Sequence, residues 1–152
     1  MKNIMISHLQ LRHTSFTEVS IAVCENGTFE GESSLTHNLN CGLLDGNPRL
    51  WRLEMCVELK TKPSKPFAYT GKICVVGIIE AHPDIPEDKV QHSVQLAGAS
   101  LLYGAIREMV LNITSRSAKG VLMMPTLNFQ AILSEKKTPE KLPAKTVASH
   151  KA

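Results

Sequence analysis

The spacing of apolar residues changes once along the chain, near Pro83, and this change constrains the fold more than any other feature. Before Pro83, apolar and polar residues alternate, as in "LWRLEMCVELKTK", where every second residue from Trp51 to Leu59 is apolar. After Pro83, apolar residues recur at helical spacing as far as about Thr114. The first pattern is typical of strands with one buried face and the second of a helix. Strands followed by helix predict an α+β fold.

Four segments in the first half have strand character. Turn-forming residues separate them, in "GTFEGESS", "DGNP" and "KPSKP". Because these breaks are short and the strand faces alternate, we expect a four-stranded antiparallel sheet, arranged as a meander with one face toward water. The strands are "SFTEVSIAV", "SLTHNLNCGLL", "LWRLEMCVELKTK" and "FAYTGKICVVGIIE".

A long helix follows the strands. "PDIPEDKV" has the signals of a helix start, namely an early proline and acidic residues in the first turn. A helix of roughly 28 residues would be about 40 Å long, which exceeds what such a sheet needs as cover. Small residues between Ala97 and Ala105 allow another element to approach closely. The surplus length suggests packing against a second copy of the chain.

The remaining sequence predicts a short second helix and a tail. An extended apolar segment, "VLMMP", precedes the short helix in "TLNFQAILSEKK". We expect a single domain over residues 1–134. The lysine-rich residues 135–152 have too little apolar surface to order themselves, so a disordered tail is predicted there.

Composition excludes several classes of function. The formal net charge is +3, and much of it comes from the lysine-rich tail, so the folded part is not a basic nucleic-acid binder. No apolar run approaches the roughly 20 residues of a membrane span, and the N-terminal segment lacks the apolar region of a secretory signal. A cytoplasmic protein without membrane insertion is the simplest interpretation. The four cysteines are then expected to be reduced core residues.

No motif for catalysis or metal binding is present. The sequence contains neither an HExxH nor a CxxC motif. We therefore predict no metal site, no cofactor and no catalytic residue. Cys41 or Cys74 could be a nucleophile only if a histidine approached in space. His37 is interpreted as a hydrogen-bonded core histidine.

The stretch "LLYGAIREMVLNITSRSAKGVLMMPTLNFQAIL" resembles the C-terminal half of SecB, the export chaperone family. The matching motifs are "A-x-R-E", then "S-R", then "P-x-x-N-F-x-A" after a short crossover. In the N-terminal half, "LQLRHTSFTEVSIAV" resembles the first SecB strand. The residues that carry the match are Arg107, Glu108, Ser115, Arg116, Pro125, Asn128, Phe129 and Ala131.

The resemblance implies a homo-tetramer, built as a dimer of dimers, that binds unfolded preproteins in hydrophobic grooves without ATP and delivers them to the SecA motor for export. In that family the crossover and second helix flank the client groove. The client-binding residues it implies are Trp51, Tyr69, Leu122, Met123, Met124, Phe129 and Leu133. Arg107, Glu108 and Arg116 would then fix the geometry of the helix against the crossover or another helix.

The SecA-docking surface differs from the family pattern. SecA docks on an acidic patch of the exposed sheet face, for which Glu18, Glu54 and Glu58 are the candidates here. Ala22 and Thr70 stand where the family has further acidic residues, and the lysine-rich tail does not match the family's tail. A solitary SecB-like chaperone, serving an antitoxin or another dedicated client, is therefore the alternative.

A more remote alternative is an acyl-thioesterase of the hotdog type, in which a long helix also packs on an antiparallel sheet. Such an enzyme needs a carboxylate or histidine aimed at an acyl carbonyl. The helix start offers four such residues, although no hotdog motif is visible. They are Asp84, Glu87, Asp88 and His92.

Overall fold

A computed structural model describes residues 4–135 of the chain. It contains four strands and two helices, which confirms the predicted α+β class. Beyond Glu135, the predicted tail lies outside the described residues. The elements are β1 (Leu9–Val23), β2 (Ser33–Leu44), β3 (Asn47–Thr61), β4 (Tyr69–Ala81), α1 (Glu87–Thr114) and α2 (Phe129–Glu135).

The four strands form one antiparallel sheet in the order β1-β4-β3-β2. Strands β2, β3 and β4 are a meander, as predicted, and the β2–β3 hairpin turns at Asp45 and Gly46, both of which have positive φ. The position of β1 corrects the prediction, because β1 pairs with β4 along its length instead of with β2. Strand β1 also begins at Leu9, six residues before the predicted start at Ser15. Its pairing with β4 has two register shifts.

The connection between β1 and β2 explains this difference. The composition of this connection predicts a turn. In the structure, the connection crosses the end of the sheet from one edge strand to the other and packs on the β3–β4 connection. The Thr28 N–H donates to the Pro66 carbonyl at 3.1 Å, and the Glu32 N–H donates to the Lys65 carbonyl at 2.9 Å. A Cβ atom at Gly31 would lie 1.9 Å from the Pro66 oxygen, so glycine is required at this crossing.

A disulfide joins Cys56 of β3 to Cys74 of β4. The two residues are directly opposite each other in the strand register, on the sheet face that also carries Glu54 and Glu58. The expectation of four reduced cysteines is therefore wrong for this pair, while Cys24 and Cys41 are free. Sequence alternation places Cys56 on a face, but it does not indicate which residue of the neighbouring strand lies opposite.

Helix α1 covers the inner face of β3 and β4, and its start after Pro86 and its end at Thr114 agree with the prediction. Gly98 lies against the sheet, since a Cβ there would be 2.3 Å from Leu53 Cδ2. Gly104 is on the opposite side of the helix with no atom within 4 Å of its Cβ direction. On the Gly98 side of the helix, small residues therefore allow close packing on the chain's own sheet. On the Gly104 side, they do not contact that sheet. No helix within residues 4–135 is long and apolar enough to cross a membrane.

Candidate functional site

Residues 120–128, which we call the crossover segment, connect α1 to α2 without regular secondary structure. Side chains alternate along its first half, as expected of extended chain. Leu122 and Met124 are buried, whereas Val121 and Met123 are 50% and 42% exposed. The segment thus contributes apolar side chains both to the core and to the surface.

Two buried tyrosines hold the ends of the crossover segment. The Tyr69 hydroxyl donates to the Gly120 carbonyl, and the Tyr103 hydroxyl donates to the Pro125 carbonyl at 2.5 Å. Burial raises the pKa of Tyr103 to about 12, and the nearby Arg107 charge opposes this shift only in part. The Tyr103 hydroxyl therefore keeps its proton, and its hydrogen bond, throughout the neutral pH range.

A third anchor is Thr114, the last residue of α1, whose side chain is fully buried. Its hydroxyl donates to the Val110 carbonyl at 2.7 Å and accepts the Leu122 N–H at 3.0 Å. Lys119 adds a link to the β1–β2 connection, because its Nζ donates to the carbonyls of Glu25 and Gly27 at 2.8 and 2.9 Å. The backbone of the crossover segment is therefore fixed without belonging to the sheet.

An apolar cleft, the β1 cleft, lies on one side of the crossover segment. Ile21 of the edge strand β1 lines this cleft, and the neighbouring Val19 and Val23 are 44% and 52% exposed. Both of these valines pair in register with inward-facing positions of β4, so they lie on the same sheet face as the cleft. The cleft is lined by Ile21, Val57, Leu59, Thr70, Gly71, Lys72, Ile73, Ile106, Val110, Leu122 and Met124.

A second apolar cleft, the β2 cleft, lies on the other side. Leu59, Leu122 and Met124 line both clefts, so these side chains form a common wall between them. The remaining lining residues of the β2 cleft are Ser33, Leu35, Phe67, Met123 and Pro125. Both clefts are almost entirely apolar, so they are suited to apolar side chains and offer no acid–base pair.

Three of the predicted client-binding residues, Leu122, Met123 and Met124, line these clefts. Tyr69, Leu122, Met123 and Met124 lie at or beneath the crossover segment, although Met123 alone among them is exposed. Sequence reasoning did not single out the contribution of β1, which depends on knowing that β1 is an edge strand. The alternation in "SFTEVSIAV" is the signal that could have indicated Val19, Ile21 and Val23.

The other predicted client-binding residues have different surroundings. Phe129 is buried and packs edge-on against Tyr103 and His37, with ring centroids 5.6 and 6.2 Å apart. It therefore anchors α2 on α1 and β2, and Leu133 follows on the same helix, partly buried. Trp51 is buried opposite Ile79, six or more residues along β3 from the clefts, which corresponds to about 20 Å.

The three predicted SecA-docking glutamates lie on the outer sheet face, each beside a basic side chain. Carboxylate-to-nitrogen distances are 3.3 Å for Glu18 with Lys72, 3.1 Å for Glu54 with Arg52, and 3.5 Å for Glu58 with Lys60. All these side chains are partly exposed, so the pairs add little stability. They nevertheless make this face mixed in charge instead of acidic.

Arg107 contacts the crossover segment. Its Nη2 lies 3.8 Å from the Met123 sulfur, and its Nε is buried without a hydrogen-bond partner among residues 4–135. Glu108 and Arg116 are both exposed. The prediction that these three residues set helix geometry stays a prediction, with Arg107 at the position that it requires.

The residues considered for catalysis are not brought together. Burial raises the pKa of the Cys41 thiol to about 11, which opposes a nucleophilic role, and Cys74 is in the disulfide. The carboxylates at the start of α1 and His92 are exposed. They follow β4, at the end of the sheet opposite the clefts.

Comparison with solved structures identifies the fold. The chain is similar to the SecB-like chaperone Rv1957 of Mycobacterium tuberculosis, solved in complex with a ChAD peptide from the HigA1 antitoxin, with a TM-score of 0.54 and 20% identity over 80% of this chain and 91% of that chain. A protein of unknown function from Streptococcus agalactiae matches with a TM-score of 0.44 and 13% identity, over 78% of this chain and 97% of that one. No protein-family model and no curated protein sequence matches the chain. Residues 4–135 therefore have the SecB-like fold that the sequence resemblance implied.

Proposed function

We propose that this protein is an ATP-independent chaperone that holds extended, apolar segments of unfolded polypeptide in the β1 and β2 clefts. The observation that carries this proposal is the crossover segment itself. Its backbone is fixed by Tyr69, Tyr103 and Thr114, while it offers exposed Val121 and Met123 between two apolar clefts. A methionine at such a surface adapts to varied apolar partners, because its side chain is unbranched and polarizable.

The presence of only two such clefts on this part of the chain argues for several copies acting together. Burial of one large apolar side chain contributes about 1.5–3 kcal/mol, and ordering of the client offsets part of it. Two side chains held by a single chain therefore give an affinity near the millimolar range, equivalent to about 4 kcal/mol. Linked copies raise the affinity for a long client without new kinds of contact. A homo-tetramer, as in the SecB family, is consistent with this requirement.

A dedicated client, such as an antitoxin, is the client class that we favour. Rv1957, which has the same fold, binds a peptide of an antitoxin. In this chain the outer-face glutamates Glu18, Glu54 and Glu58 are each beside a lysine or arginine, so an acidic docking patch is weak. Delivery of preproteins to SecA in the cytoplasm is the second candidate, and it rests on the position of these glutamates on the exposed sheet face.

The chaperone function is tested by light scattering from a chemically denatured client diluted into buffer without ATP. Stoichiometric wild-type protein should suppress aggregation. Met123→Asp should lose most of this protection, because it places a charge in the lining of the β2 cleft. Leu43→Asp is the matched control, since Leu43 is 50% exposed at the far end of β2. Failure of the wild type to protect, or equal protection by Met123→Asp, contradicts the proposal.

The two client classes are separated by binding assays with SecA. We expect no saturable binding of SecA to this protein by calorimetry. Saturable binding that is lost in Glu54→Lys, with client protection retained, would assign the export function instead.

A further inference from the structure

Three potential metal ligands converge at the end of the sheet opposite the crossover segment. They are His8, directly before β1, His82, directly after β4, and Asp84 in the connection to α1. One donor atom from each of the three side chains lies within 4.8 Å of the others. All three are exposed, so an ion from solvent has direct access to them.

Strand pairing brings the two histidines together. The His82 N–H donates to the His8 carbonyl at 2.7 Å, which extends the β1–β4 ladder by one residue beyond the Leu9–Ala81 pair. Directly opposite residues of an antiparallel pair project to the same face. Accordingly, the two imidazole rings are stacked, with centroids 5.0 Å apart and an interplanar angle of 20°.

Asp84 completes the group because the connection that carries it is held in place. Arg49 Nη1 donates to the carbonyls of His82 and Ile85, at 3.2 and 2.5 Å. The Asp84 N–H donates to His82 Nδ1 at 3.2 Å, and this hydrogen bond is given up when that nitrogen binds an ion. The backbone of this connection is thus largely ordered before any ion binds, which lowers the entropy cost of binding.

We propose that His8, His82 and Asp84 form a binding site for a late first-row divalent cation, with Zn²⁺ as the representative ion. Asp84 Oδ2 lies 3.3 Å from His82 Nδ1. Two ligand atoms of a tetrahedral zinc ion, at bonds of about 2.0–2.1 Å, are about 3.4 Å apart. The exposed His8 ring closes the set by rotating about its side-chain bonds, and water occupies the fourth position.

The ligand chemistry favours zinc over calcium or magnesium. Two imidazoles and one carboxylate suit zinc, nickel or copper, whereas the hard cations prefer sets of oxygen ligands. Glu80, two residues before His82, already forms an ion pair with Arg12 at 2.6 Å. The proposed site therefore has three protein ligands. The sequence expectation of no metal site considered local spacing only, and these ligands come from the two ends of the β1–β4 pairing.

The test is calorimetric titration of the full-length chain with Zn²⁺. We expect one ion per chain for the wild type and binding at least about tenfold weaker in His8→Ala and in His82→Ala. Asp84→Asn, which preserves size, should weaken binding as well. His92→Ala, an exposed histidine on α1, is the matched control and should bind as the wild type does. Circular dichroism confirms that each variant is folded.

A Co²⁺ titration separates this site from the free cysteines. Nitrogen and oxygen ligands give visible d–d bands without the near-ultraviolet charge-transfer band of a thiolate. Three results would each overturn the proposal. The first is a wild-type protein that does not bind one ion per chain, and the second is an unchanged affinity in both histidine variants. The third is a thiolate-type Co²⁺ spectrum. None of these readouts depends on the proposed chaperone activity.

Discussion

At the scale of single residues, a few hydrogen bonds from buried side chains determine where the candidate site lies. Thr114 is the clearest case, because its hydroxyl replaces the partner that the Leu122 N–H would have in a sheet. Sequence reasoning predicted the apolar crossover and its importance, but it gave no role to Thr114 or Tyr103. Their partners lie eight and 22 residues further along the chain, and no local pattern specifies such contacts.

Thr114→Val should destabilise the protein by about 1–3 kcal/mol, since valine has nearly the same shape but leaves the buried Leu122 N–H without a partner. Urea unfolding measures the free energy, and hydrogen exchange should show faster exchange at Leu122. Thr126→Val is the control, because Thr126 is exposed in the same segment. Equal stability of Thr114→Val and wild type would show that the crossover segment is not anchored there.

The Cys41 thiol provides a prediction about reactivity. Burial raises its pKa from 9.0 to about 11, so its thiolate fraction at pH 8 should be about 100-fold smaller than in the unfolded chain. Alkylation of Cys41 by iodoacetamide should therefore be slower in native protein than in urea, by about one to two orders of magnitude. Mass spectrometry of the Cys41 peptide measures both rates. Rapid native alkylation would reopen a nucleophilic role for this residue.

At the scale of elements, the accuracy of sequence reasoning depended on whether the determining contact was local. The β2–β3 hairpin is specified by Asp45 and Gly46 between alternating strands, and α1 by its proline and acidic start, so both were predicted. The placement of β1 depends on a crossing that needs Gly27 and Gly31 to lie against the β3–β4 connection. Such a contact is not visible in hydrophobic spacing, and a meander was predicted in its place.

The disulfide between β3 and β4 gives the prediction at this scale. The disulfide closes a loop between two residues that are 18 positions apart in the sequence. By restricting the unfolded chain, this loop should contribute about 3 kcal/mol to the free energy of unfolding. The double variant Cys56→Ser, Cys74→Ser should lose that amount in urea unfolding, and reduction of the wild type should reproduce the loss. Cys24→Ser, with the disulfide intact, should unfold close to the wild-type midpoint. If reduction leaves the wild-type midpoint unchanged, the bond adds nothing to stability.

At the scale of the whole molecule, the two sides of α1 have different tasks. The inner side packs on the sheet through Gly98, Leu102 and Ile106. The outer side combines Gly104 with Leu101, which is 45% exposed. The length of α1 and this outer surface are the features from which the sequence suggested packing against a second copy. We propose that copies of the chain pack against one another through this outer side of α1.

Leu101→Asp tests that assembly. In a two-fold symmetric interface each substitution occurs twice, so the variant loses two buried side chains, each contributing about 1.5–3 kcal/mol, and brings two like charges together. We expect light scattering after size exclusion to show a tetramer for the wild type and a smaller species for Leu101→Asp, with unchanged helix content. Leu43→Asp, at a 50% exposed residue of the edge strand β2, should remain tetrameric. A monomeric wild type, or a Leu101→Asp variant of unchanged mass, would exclude the outer side of α1 as the interface, and multivalent client binding would then need another origin.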